Sequence, residues 1–307
     1  MGNFIGDLGA ILMIALIAVL GFRFVWDIIN KKGEDTTIFM KDFMFYAVAA
    51  VAGFAALFFT GGIIYNHVAG PISIFDIEVV WNRGIVADNL IPHKYLFSEF
   101  TEKGAFPLFP TIVYLFSELL FDMYVECALY ISVLCGVVTT VSLGFILRKR
   151  IGRESAAEYI ILFLCIPALI YIFLPSPFAM FMALCSLVML GIVYEKKWLT
   201  IVFTALCLVT HLYGIAVLAM VIVSFVYKGD KRSYVIPGVF SAVTFALGVI
   251  FIFMQYVCIY EMWFVYVLPV CLVLPKVKEN SSIIKYVALG LILVNSMYMT
   301  GLIYNAF

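Results

Sequence analysis

The chain has 307 residues, 65% of them hydrophobic and only 12% charged, with 19 Lys+Arg balanced by 19 Asp+Glu. A soluble domain is about half apolar and a quarter charged, so no soluble fold of this length has the interior to hide so much apolar surface. The charge balance also leaves no basic stripe for nucleic acid.

Lipid admits only helices or closed barrels. Barrel strands alternate apolar and polar residues, whereas the segments here are apolar all round. The expected fold class is therefore all-α: a polytopic transmembrane helical bundle, with a single transmembrane domain over 1–307. The first apolar run, 8–30, is too long for a signal-peptide core and lacks a basic start, so it reads as a retained span. Further runs fall at 43–65, 125–147, 156–174, 177–194, 198–212, 213–227, 235–256, 262–275 and 283–304, roughly ten spans in all. The two runs flanking His211 are short and read as tilted or incomplete helices.

Cations set the orientation. Basic clusters lie around Arg23–Lys41, at Arg148–Arg153, at Lys196 and Lys197, at Lys228–Arg232 and at Lys276–Lys285. The positive-inside rule places all five in the cytoplasm. That works only if the segment 104–122 does not cross the bilayer. Its two prolines, Pro107 and Pro110, fit the first turn of a helix, where missing N–H groups cost nothing. The apolar remainder is short for a span. It reads as an interfacial helix lying on the outer face.

The polar stretch 66–103 precedes it, so 66–124 is expected to form an outer-face loop plus juxtamembrane helix. This stretch holds Asp76, Glu78, Asp88, Glu99, Glu102, His67 and His93. Asp76 and Glu78 follow an apolar run and precede Trp81. A carboxylate at the membrane boundary suits a general base, or a ligand for a divalent cation such as magnesium or manganese beside a phosphate. Trp81 suits stacking on a sugar or anchoring at the interface. Solvated loop acids are the plainer reading of the same residues. The seven cysteines lie mostly in apolar runs without CxxC spacing and read as small hydrophobes.

The order of these elements resembles the GT-C class of membrane glycosyltransferases, and most of all the PIG-V-like mannosyltransferase family. That family's pattern is approximately W-D-x-x-W-Y followed by F-F-P-L-Y-P-L-L. Phe75-Asp76, Trp81 and Phe106-Pro107-Leu108-Phe109-Pro110 match in order. Pro167, Pro177-Phe178, Lys196-Lys197-Trp198, Thr210 and Gly214 continue the likeness, which covers roughly 43–230. Two positions depart from it. Phe178-Ala179-Met180 stands where the family has Y-S-E, and Thr210-His211 stands where it has T-R.

The resemblance implies transfer of a sugar from a polyprenyl-phosphate donor to an acceptor at the extracytoplasmic face. Asp76 would be the general base, and Glu78 its assistant or a metal ligand. Trp81, Arg83, His93, Lys94, Phe106, Pro107, Pro110 and His211 would bind substrate, with His211, Arg83 and Lys94 on the departing phosphate. His211 reads equally as a hydrogen-bonded structural residue. The missing glutamate and arginine favour an alternative, an inactive lipid-binding or scaffold subunit of the same fold. A transporter fits less well, because the spans carry almost no central ionisable residues and no matching halves. Expected partners are the lipid-linked sugar and membrane lipids. The expected site is the bacterial plasma membrane with the active face outside, and the endoplasmic reticulum second.

Overall fold

The computed structural model of the chain describes residues 36–69, 108–119, 124–164, 177–227 and 232–253. Among the described residues all regular structure is helical. The elements are α1 (Thr36–Ala69), α2 (Leu108–Leu119), α3 (Tyr124–Ile151), α4 (Arg153–Leu164), α5 (Pro177–Val193), α6 (Lys197–Leu208), α7 (Gly214–Val226) and α8 (Arg232–Phe253). Two helices are long and apolar enough to cross a membrane, over Ile38–Ala55 of α1 and Cys127–Ile151 of α3. The runs read at 8–30, 262–275 and 283–304 lie outside the described residues.

Helix ends differ from the apolar runs where polar residues find partners. The first described helix spans Thr36–Ala69 and so includes residues ahead of the run read from 43, among them Asp42, which is paired with two arginines. It continues to Ala69, so Asn66 and His67, read as the start of the outer loop, are helical. Between α3 and α4 the chain turns at Gly152, with φ of +91°. A side chain is strained in that conformation. The α5–α6 turn is closed by Lys196 N–H to the Gly191 carbonyl at 2.8 Å and Glu195 N–H to the Ile192 carbonyl at 3.3 Å. This is the Schellman pair, with Glu195 at φ 58° in the place glycine usually takes.

The centre of the bundle is α5. Fifteen of its 17 residues are buried, so neighbours pack around it on every side. The Tyr194 hydroxyl donates to the Phe145 carbonyl at 3.3 Å, while Ala179 and Met180 share a cluster with Cys127 and Ala128. The helices α3 and α5 therefore run parallel. The first helix packs on the C-terminal part of α3: Phe39 stacks on Phe145 at 4.7 Å, and Tyr46 meets the same ring edge-on at 5.7 Å. A β-carbon at Gly144 would sit 2.6 Å from the Tyr46 ring, so only glycine lets α1 and α3 approach this closely.

Several interior hydroxyls are satisfied within their own helices, as suits a helix surrounded by apolar matter, whereas those of Ser132 and Thr244 are buried without a hydrogen bond. Thr139 donates to the Cys135 carbonyl, Thr140 to Gly136, and Thr204 to Thr200. Cys127, Cys135, Cys185 and Cys207 are buried free thiols that pack as apolar groups. The outer faces are apolar too. Val48 and Val51 of α1, Ile201 and Val202 of α6, and Ile215 and Ile222 of α7 are exposed. No residue of α7 carries a charge.

Candidate functional site at the His211 turn

The bundle has two chemically different ends. At one, Arg153 Nε donates to Asp42 Oδ1 at 2.7 Å, and Arg148 Nη1 approaches Asp42 Oδ2 at 3.2 Å. The second contact is an ion pair without hydrogen-bond alignment. Lys149 lies 4.4 Å over the Tyr194 ring, which brings the Lys196–Lys197 turn to the same end. Among the described residues, the Arg148–Arg153 and Lys196–Lys197 clusters and Lys41, the last residue of the first cluster, thus share this end.

At the other end lie the N-termini of α2 and α5 and the α6–α7 turn. The α6 helix stops at Leu208, where Val209 N–H turns back to the Leu206 carbonyl at 3.2 Å. Thr210 N–H and His211 N–H both turn back to the Cys207 carbonyl at 3.2 Å. The Thr210 hydroxyl donates to the Leu206 carbonyl at 2.6 Å. The α7 helix then starts at Gly214, whose missing side chain is a steric requirement. A β-carbon there would lie 2.6 Å from the Cys207 carbonyl oxygen and 2.7 Å from Leu208 Cα. Backbone atoms cannot swing aside, so glycine sets the tightness of the turn.

His211 is only 7% exposed. Its imidazole stacks on Tyr213 at 5.2 Å, tilts against Phe181 at 5.2 Å, and meets Phe178 edge-on at 5.9 Å. The Tyr213 N–H donates to His211 Nδ1 at 3.3 Å. That bond makes Nδ1 the acceptor and leaves the proton of a neutral ring on Nε2. The backbone of its own turn thus fixes the tautomer.

The proline-bearing segment joins this turn. Leu108 N–H donates to the Val209 carbonyl at 3.3 Å. Pro110 falls in the first turn of α2, as its missing N–H allows. Phe109 and Val113 then pack on Cys127, Ala128 and Cys135 of α3 and on Ala179, Met180 and Ala183 of α5. All these partners belong to the halves of α3 and α5 remote from the basic end. With 12 residues, α2 is about 18 Å long, well short of a ~30 Å hydrocarbon core.

The structure brings together Pro110, Phe178, Met180, Thr210, His211 and Gly214. The other expected site residues, Asp76, Glu78, Trp81, Arg83, His93, Lys94, Phe106 and Pro107, lie outside the described residues. Among the described residues no group of three or more His, Cys, Asp or Glu is placed to hold a metal ion. Sequence reasoning missed Phe181 and Tyr213, the two rings nearest His211. The signal was present as spacing: Phe178 and Phe181 are one helical turn apart, and Tyr213 is two residues past His211. Met180 is buried in an apolar cluster.

Compared with known proteins, the chain matches no family model, no curated protein and no solved structure.

Proposed function

We propose that the chain is an integral-membrane protein of GT-C-like architecture that binds a polyprenyl-phosphate sugar at the His211 end and transfers the sugar to an acceptor outside the cytoplasm. One observation carries this reading. Three stretches far apart in sequence, each quoted for the family likeness, converge on one end: Leu108–Pro110, Pro177–Phe178 and Thr210–Gly214. Unrelated motif matches would have no reason to meet.

Membrane residence is supported by the exposed faces of α1, α6 and α7, where aliphatic residues stand in place of charges. Orientation is supported by the shared basic end, which the positive-inside rule assigns to the cytoplasm. In this reading about ten spans complete the bundle, α2 lies along the outer interface, and the polar stretch after α1 hangs beside it. Asp76 takes the acceptor proton as the hydroxyl attacks the anomeric carbon, a step worth about 10²–10⁴ in rate. His211, held as the Nε2–H tautomer, donates to the departing phosphate. A divalent cation on Asp76 and Glu78 would supply further phosphate neutralisation.

A second reading has its own observation. Met180 fills an apolar cluster where the family has glutamate, and His211 sits among three aromatic rings where the family has arginine. This favours a lipid-binding subunit that keeps the fold without turnover. Incubating the purified protein with a panel of polyprenyl-phosphate sugars separates the two. Transfer that disappears in Asp76→Asn with folding intact supports the enzyme. Binding of the donor without transfer supports the subunit, and no binding of any donor defeats both.

A further inference from the structure

The His211 turn stops short of a full membrane crossing. The α6 helix runs back along α5: a β-carbon at Gly191 would meet Thr200 Oγ1 at 2.6 Å near one end, and Phe181 packs on His211 at 5.2 Å near the other. From Val193 to Phe181, α5 rises about 18 Å. The 12 residues of α6 give the same figure, about 18 Å. A hydrocarbon core is ~30 Å thick, so a path that starts at the basic end and turns at His211 falls short of the far edge by roughly 12 Å. Any tilt of α6 increases the shortfall. With 13 residues, α7 covers about 20 Å, the length needed to return to the level that α6 left.

The two ends of this helix pair differ in chemistry. Lys197 and Trp198 are exposed at the start of α6, and Tyr227 is exposed just past the end of α7. Lysine, tryptophan and tyrosine hold helix ends at the headgroup level of a bilayer. The tip between the helices presents none of them. From 209 to 215 the exposed side chains are Val209 and Ile215, both aliphatic, while Thr210, His211, Tyr213 and Gly214 are buried. The backbone of the tip is also satisfied from within the protein. The N–H groups of Val209, Thr210, His211 and Gly214 donate to the carbonyls of Leu206, Cys207 and His211. The Tyr213 N–H donates to His211 Nδ1, and the Val209 carbonyl accepts from Leu108 of α2. Water would serve these groups at a surface, whereas non-helical backbone at membrane depth has to find its partners in the protein.

We propose that α6 and α7 form a re-entrant hairpin that enters from the basic, cytoplasmic side and turns back inside the bilayer, with Val209 and Ile215 against lipid acyl chains and His211 roughly 12 Å below the outer edge of the hydrocarbon core. The proposal rests on the membrane part of the reading above and is independent of sugar transfer. Two of the apolar runs then dip and return instead of crossing, which leaves every basic cluster on its side of the membrane. A ligand that reaches His211 from outside arrives among acyl chains. The class that fits is a polar head carried on a lipid tail rather than a water-soluble sugar donor.

The test replaces Ile215, Val209 or Tyr227, all exposed, by a fluorescent non-natural amino acid, one position per full-length chain, and reconstitutes each protein in phosphatidylcholine vesicles. Two quenchers are compared: a lipid spin-labelled on its headgroup and a lipid brominated toward the ends of its acyl chains. At positions 215 and 209 the brominated lipid is expected to quench more than the headgroup label, and at 227 the order should reverse. Stronger quenching by the headgroup label at 215 and 209 overturns the hairpin, since its tip would then lie at the surface of a thinned bilayer. Quenching at 227 with none at 215 and 209 also overturns it, since the tip would then be covered by a second copy or by another part of the chain. A chain that neither lipid quenches at any of the three positions overturns the membrane reading as well, whereas an embedded chain with its tip at headgroup level overturns this inference alone.

Discussion

Arg153 and Asp42 are joined at 2.7 Å across 111 positions of sequence. The bond ties α4 to α1 at the charged end of the bundle, and Arg148 adds α3 to the same carboxylate. The two sides of this clasp are unequal. Asp42 and Arg148 are largely buried, while Arg153 reaches the surface. Asp42→Ala removes the buried carboxylate that joins three helices and takes an ion-pair partner from the largely buried Arg148, and it is expected to cost about 3 kcal/mol. Arg153→Gln removes a half-exposed partner and is expected to cost under about 1 kcal/mol. Thermal unfolding in detergent should give the larger fall for Asp42→Ala, and equal falls would contradict the asymmetry.

Tyr46 and Gly144 form a lock-and-groove pair. A methyl group at 144 would strike the ring near its base, where rotation offers no escape. Gly144→Ala should therefore destabilise by about 1–3 kcal/mol through overpacking. In a Tyr46→Leu background the same change should cost much less. A double-mutant cycle with no coupling energy would show that α1 and α3 do not meet there.

Two glycines make a paired control. At Gly214 a β-carbon meets backbone at 2.6 Å, whereas at Gly238 in α8 it meets nothing within 4 Å. Gly214→Ala should distort the His211 turn and lower both the unfolding midpoint and donor binding. Gly238→Ala should be neutral or stabilising by up to ~1 kcal/mol, as expected for alanine inside a helix. Similar behaviour of the two variants would refute the tight α6–α7 turn.

The glutamate and arginine of the resembled family should not transplant into this chain. Met180→Glu places a carboxylate among Phe109, Val113 and Ala183, at a site 7% exposed. A buried acid without partners is costly. His211→Arg forces a larger, permanent charge between Phe178, Phe181 and Tyr213. Both variants should unfold at lower temperature than the wild type, with no gain in transfer. A gain of sugar transfer in either one would show that the pocket accepts the family's charge pair.

Much of this was legible in the sequence where chemistry is local. Pro110 in the first turn of α2, cysteines acting as small hydrophobes, and short helices on both sides of His211 all follow from single residues or short runs. The start of α1 did not, because an apolar-run reading stops at Lys41 and Asp42. The burial of Asp42 in a helix is balanced by arginines more than a hundred positions away. The aromatic surround of His211 was hidden for the same reason: Phe178 and Phe181 arrive from another helix. The packing role of Gly144 depends on a ring in α1 and leaves no mark in its own segment.

In the proposed function the lipid-linked sugar binds at the His211 end, whether or not turnover follows. Photo-crosslinking with a polyprenyl-phosphate mannose probe, mapped by peptide mass spectrometry, tests it most directly. Labelled peptides are expected from 108–116, 177–182 and 209–214. Labelling confined to 148–153 and 194–198, or no specific labelling of a folded protein, would contradict it.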